Sequence, residues 1–190
     1  MRYRSVIALW FCERDLRSRR FILEAAIQAL HDDHVFYTQN RGIPPLLDAI
    51  SSYVSRLHDQ TIGTDRLTVT GSGMNAIMLS SQALVDAGDN MIVIGAVGPN
   101  CVETIHVMGG EARVVPLTPA ADGGWRFDLD RVLDACDERT VAVFVNSPGN
   151  PTGWMMKAEE HRALLTACRA RGLPIVADEV YIRLAYDRPR

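Results

Sequence analysis

Val141-Ala142-Val143-Phe144-Val145-Asn146, continuing into Ser147-Pro148-Gly149-Asn150-Pro151-Thr152-Gly153, is the stretch of this 190-residue chain that decides its fold. Five apolar residues closed by an asparagine predict a strand buried on both faces. The Pro, Gly and Asn after it predict a turn at the carboxyl end of that strand. Asp178-Glu179-Val180-Tyr181 begins 28 residues after Asn150 and closes a second apolar strand, predicted over 174–178.

Helix and strand patterns alternate around these two pieces. Ile22, Ala25, Ala26 and Leu30 recur at helical spacing and predict a helix over 21–31, and a second amphipathic helix is predicted over 46–57. A polar loop with Asn40, Gly42 and two prolines separates them. A short buried strand is expected over 66–70, interrupted by Gly71-Ser72-Gly73, with a helix over 75–87. Strands over 91–95 and 113–117, helices over 102–108, 129–136 and 158–171, and a loop over 118–125 follow. Residues 181–186 read as one more strand. Short apolar strands alternating with helices give an α/β fold, a three-layer αβα arrangement with a mainly parallel sheet. Ligands of such sheets bind beyond the carboxyl ends of strands. Four polar segments are expected there: 71–74, 98–100, 146–153 and 178–181.

Net charge is −3, which offers nothing to attract nucleic acid. No apolar run reaches membrane-spanning length. Two arginines precede an apolar run over 6–12, but Glu13, Arg14, Asp15 and Arg17 follow without a small-residue cleavage site, so no signal peptide is read. Cys12, Cys101, Cys136 and Cys168 are scattered, without the spacing of a metal site or a disulfide frame. They read as free thiols, and the expected location is the cytoplasm. Gly71-Ser72-Gly73-Met74 opens a helix, where free N–H groups and the helix dipole favour an anion. It matches neither a nucleoside-triphosphate loop nor a dinucleotide fingerprint.

Asn150-Pro151-Thr152-Gly153, Asp178-Glu179-Val180-Tyr181, and Tyr37 followed five residues later by Gly42 together resemble the class I/II aminotransferases. These are fold type I enzymes dependent on pyridoxal 5′-phosphate (PLP), and the resemblance runs from about Val6 to Arg188. It implies that Ser72, Gly73 and Met74 hold the cofactor phosphate, largely through backbone. It implies that Asn150 and Tyr181 hydrogen-bond the ring oxygen and that Asp178 faces the ring nitrogen. A carboxylate there keeps the nitrogen protonated and the ring electron-accepting. Tyr37 would reach the phosphate of a neighbouring subunit in a homodimer. The implied reaction moves an amino group from an amino acid to a 2-oxo acid. Residues 1–40 would be an N-terminal segment and interface loop, and 41–190 part of the PLP-binding large domain.

Three departures from the family pattern stand out. The lysine that holds the cofactor aldehyde follows the D-x-x-Y strand in the family by a few tens of residues, beyond Arg190. Lys157, the chain's one lysine, reads as a solvated residue. The chain is therefore expected to be a truncated large domain with no catalytic residue of its own. Gly98-Pro99-Asn100 resembles a W-P-N turn but has glycine where the family stacks a ring. Cys12 stands where a loop glycine is usual. A PLP-dependent C–S lyase or decarboxylase on the same scaffold, or a non-catalytic PLP-fold protein, are the alternatives.

Overall fold

The computed structural model describes residues 16–186. The loop around Cys12 lies outside them. The chain divides into two compact units, one ending at Thr68 and one beginning at Val69. The second helix of the chain lies within the first of these units.

The first unit holds α1 (Arg20–His31) and α2 (Pro44–His58). Pro44 and Pro45 suit the first turn of α2, where no intrahelical N–H is needed. The strand expected over 66–70 does not form. Thr64–Arg66 is a single 3-10 turn. The Arg41 guanidinium donates to the carbonyls of Thr64 and Leu67, the latter at 2.7 Å, and so takes one acceptor that a strand over 66–70 would use.

The second unit contains a four-stranded parallel sheet whose strands lie side by side in the order 111–115, 90–94, 140–146 and 175–178. In chain order it runs α3 (Gly73–Leu84), β1 (Asn90–Ile94), α4 (Pro99–Val107), β2 (Glu111–Val115), β3 (Thr118–Pro119) and β4 (Trp125–Arg126). It continues through α5 (Leu129–Asp134), β5 (Thr140–Asn146), α6 (Ala158–Ala170) and β6 (Ile175–Asp178). The segment expected as a loop over 118–125 carries the β3–β4 hairpin. Its turn is held by Ala120 N–H on the Gly124 carbonyl (2.9 Å), with Gly123 at φ +82°, where a side chain would be strained. Residues 181–186 are not a strand. Ile182 and Leu184 donate three residues back, to Glu179 and Tyr181, and close a 3-10 turn over Ile182–Leu184.

The period of two along β1 and β5 builds both cores. Met91, Val93, Ala142 and Phe144 point to one face and pack with Cys101 and Ile105 of α4 and Val85 after α3. Ile92, Ile94, Val143 and Val145 point to the other and pack with Val132 of α5 and Leu164 and Cys168 of α6. The sheet thus lies between two helical layers, as the two-sided apolar runs require.

A polar clasp ties the amino ends of β1 and β5 to the middle of β2. Asp137 accepts from Asn90 Nδ2 (2.7 Å) and the Arg139 N–H (2.9 Å), and pairs with Arg113 Nη1 at 2.8 Å. Thr140 Oγ1 donates to Asn90 Oδ1 at 2.7 Å. The Asn90 hydrogen bond, then that of Arg113, hold the Asp137 carboxyl well below the usual carboxylate range. A carboxyl depressed on folding stabilises the fold above its unfolded pKa, about 3.9, and that contribution is lost as pH falls toward its folded value. Asp137→Asn should therefore lower the melting temperature at neutral pH. The difference from wild type should shrink below about pH 4, as melting curves across pH will show.

Candidate functional site

The loops after β1 and β5 leave the sheet in opposite directions. The chain after β1 enters α4 on one face, and the chain after β5 enters α6 on the other. Adjacent parallel strands whose connections part in this way open a crevice at their carboxyl ends. Val97 and Pro151 bridge the two loops there.

A cavity of about 370 Å³ occupies this end of the second unit. Gly73 and Met74 enter it from the start of α3, and Gly98 and Cys101 from the start of α4. Asn146 enters at the end of β5 with Asn150 just beyond, and Asp178 at the end of β6 with Tyr181 just beyond. Three of the four polar segments thus follow strands as expected. The fourth, 71–74, opens a helix without a strand before it.

Ser72 Oγ accepts the Asn75 N–H at 3.1 Å and caps α3. Ser72 is not among the lining residues, and capping uses a lone pair while leaving its hydroxyl proton to donate. Gly73 and Met74 supply first-turn N–H groups, which have no carbonyl one turn back. A Cβ added at Gly73 meets nothing within 4 Å, so the helix terminus is open to a ligand.

Asn150 Nδ2 lies 3.2 Å from Tyr181 Oη, which brings two sequence-predicted residues onto one point. Asp178 Oδ1 accepts the Val180 N–H at 3.1 Å, an Asx turn that orients the carboxylate as β6 ends. Asp178 also receives the Ser147 N–H on its carbonyl at 3.2 Å.

Cys101 was not singled out from sequence, yet it lines the cavity and is buried. Burial, and then the Asp178 charge, push its thiol up to about 12. It is a neutral wall group at physiological pH and not a nucleophile. Gly98 precedes α4 at φ −59°, a conformation open to any residue, and its Cβ position is clear to 4 Å. Lys157 stands before α6, exposed and outside the cavity lining, its N–H bonded to the Glu160 carboxylate at 2.7 Å. Tyr37 belongs to the first unit and its side chain is fully exposed.

A family profile described as "Aminotransferase class I and II" matches residues 9–190. The chain belongs to that family. Among class I and II aminotransferases, it is 32% identical to an aspartate aminotransferase of Geobacillus stearothermophilus over 182 residues, 96% of this chain and 46% of the relative. It is 31% identical to the human kynurenine–oxoglutarate transaminase 1, covering 88% of this chain and 42% of that protein. Among solved aminotransferase structures, that of Thermus thermophilus aspartate aminotransferase with maleate superposes with a TM-score of 0.88 at 31% identity, over 94% of this chain and 46% of that one. The chain spans about half the length of these relatives. No helix among the described residues is long and apolar enough to cross a membrane.

Proposed function

We propose that the cavity is a PLP site and that the chain supplies the cofactor floor of an enzyme moving an amino group from an amino acid to a 2-oxo acid. The observation that carries this reading is the convergence of Asp178, the Asn150–Tyr181 pair and the start of α3 on one cavity. The donor set suits the group. First-turn N–H groups of Gly73 and Met74 suit a phosphate dianion. Asn150 and Tyr181 suit an ionised ring oxygen, and Asp178 suits a protonated ring nitrogen. When bound, PLP supplies an electron sink for the pair left when a proton leaves the amino acid Cα.

The chain's own residues then have separate tasks. Asp178 holds a proton at the ring nitrogen. Asn150 and Tyr181 keep the ring oxygen ionised. The start of α3 anchors the phosphate, with Ser72 adding its hydroxyl. Lys157, outside the lining, is assigned no part in holding the aldehyde. The exposed Tyr37, with Phe21, Ile22, Leu23 and Ile27 exposed on α1, supports a second subunit meeting this one. A cytoplasmic homodimer completes the reading, which suits the free thiols of Cys101, Cys136 and Cys168.

Pyridoxamine 5′-phosphate tests the site directly, because it carries no aldehyde and needs no lysine. Equilibrium dialysis of the chain against it should give saturable, single-site binding, and failure to bind would remove the reading. Gly98→Trp provides a gain to look for. A ring placed over the cofactor adds about 1 kcal/mol of stacking, so affinity for pyridoxamine 5′-phosphate should rise about fivefold.

A further inference from the structure

One buried polar side chain at the cavity has no task in this scheme. Asn146, the last residue of β5, is 7% exposed and lines the cavity. Both ends of its amide are engaged by main chain. Nδ2 donates to the Asp178 carbonyl at 3.1 Å, and Oδ1 accepts the Asn150 N–H at 2.8 Å. Asn146 and Asp178 are also register partners in the parallel ladder. Asn150 carries the contact onward, its Nδ2 lying 3.2 Å from Tyr181 Oη.

The geometry points to Asn146 as a positioning residue that fixes the spacing between Asp178 and the Asn150–Tyr181 pair. This rests on the cofactor reading of the cavity. A rigid aromatic ring held at its nitrogen by one group and at its oxygen by another can satisfy both only if they stand at the right separation. Asn146 reaches both groups through a single amide. Turning that amide over would set oxygen against oxygen and N–H against N–H, so one orientation is enforced. Asp cannot replace it, since it has no donor for the Asp178 carbonyl. Leu fills similar space but leaves the Asn150 N–H without this acceptor. Misplacement of a binding group by about 1 Å is enough for large losses at such a site.

The test compares the wild-type chain with Asn146→Ala, using pyridoxamine 5′-phosphate as the probe. Three quantities are read: the dissociation constant by equilibrium dialysis, the pH titration of the bound ligand's absorption, and the melting temperature. Asn146→Ala should weaken binding about tenfold. The ring-oxygen midpoint of the bound ligand should rise toward its free value, because its donors no longer meet it squarely. Asn146→Ser, which keeps a hydroxyl at the strand end, serves the same comparison if the alanine variant does not fold. A lower melting temperature with an unchanged dissociation constant and an unchanged midpoint would make Asn146 merely structural and overturn the proposal. A wild-type chain that does not bind the probe would defeat the cofactor reading itself, and the positioning role with it.

Discussion

Asp178→Asn should weaken pyridoxamine 5′-phosphate binding about 30-fold while leaving the chain folded. The loss follows from exchanging a charge-assisted hydrogen bond for a neutral one, about 2 kcal/mol at a partly buried site. The fold is spared because asparagine keeps an Oδ1 for the Val180 N–H. The carbonyl that receives Asn146 Nδ2 and the Ser147 N–H is main chain and does not change. Equilibrium dialysis and a melting curve on the same sample separate the two effects. Equal affinity in the variant would take Asp178 out of the site, whatever its position at the end of β6.

Ile92→Ala should have the opposite profile. Ile92 is fully buried at the middle of β1, on the face packed against the α5 and α6 layer. Truncation removes three methyl or methylene carbons and leaves a cavity that neighbours refill only in part, at a cost of about 2–5 kcal/mol. For a chain of this size that is a fall in melting temperature of roughly 5–15 °C. Ile92→Val should lose about 1 kcal/mol, giving an internal scale. Below the melting transition, probe affinity of Ile92→Ala should match wild type, since no residue of that core cluster lines the cavity. A large affinity loss together with a small thermal effect would contradict this account of the core.

The sheet was the most legible part of the chain. A run such as 141–145 has no polar side to show to water, so only a strand covered on both faces accommodates it, and β1 follows the same logic. Residues 66–70, Arg-Leu-Thr-Val-Thr, mix polar and apolar side chains and form no ladder; Arg41, distant in sequence, takes the Leu67 carbonyl. Local pattern carries no trace of that. The helix expected from residue 102 starts at Pro99, a residue well suited to the first helical turn. Asn150, Asp178 and Tyr181 could be picked out because, taken together at the ends of two expected strands, their stretches resemble the motifs of a known family. The rest of the cavity wall was less visible. Cys101 looked like any small buried thiol, and Asn146 like the polar full stop of a strand. Their positions depend on how β5, β6 and α4 meet, which is a property of topology and not of spacing.

The two cores of the sheet are unequally committed. Phe144 and Cys101, with Ile77, Val97 and Val176 packed beside them, belong at once to one apolar layer and to the cavity wall. The layer beneath α5 and α6 contributes nothing to that wall. Over evolutionary time its side chains can drift among apolar residues as long as volume is kept. Across the sheet the same drift would remould the chamber, so that layer is tethered to whatever the protein binds. Lineages that change ligand should carry their substitutions on the α3 and α4 side.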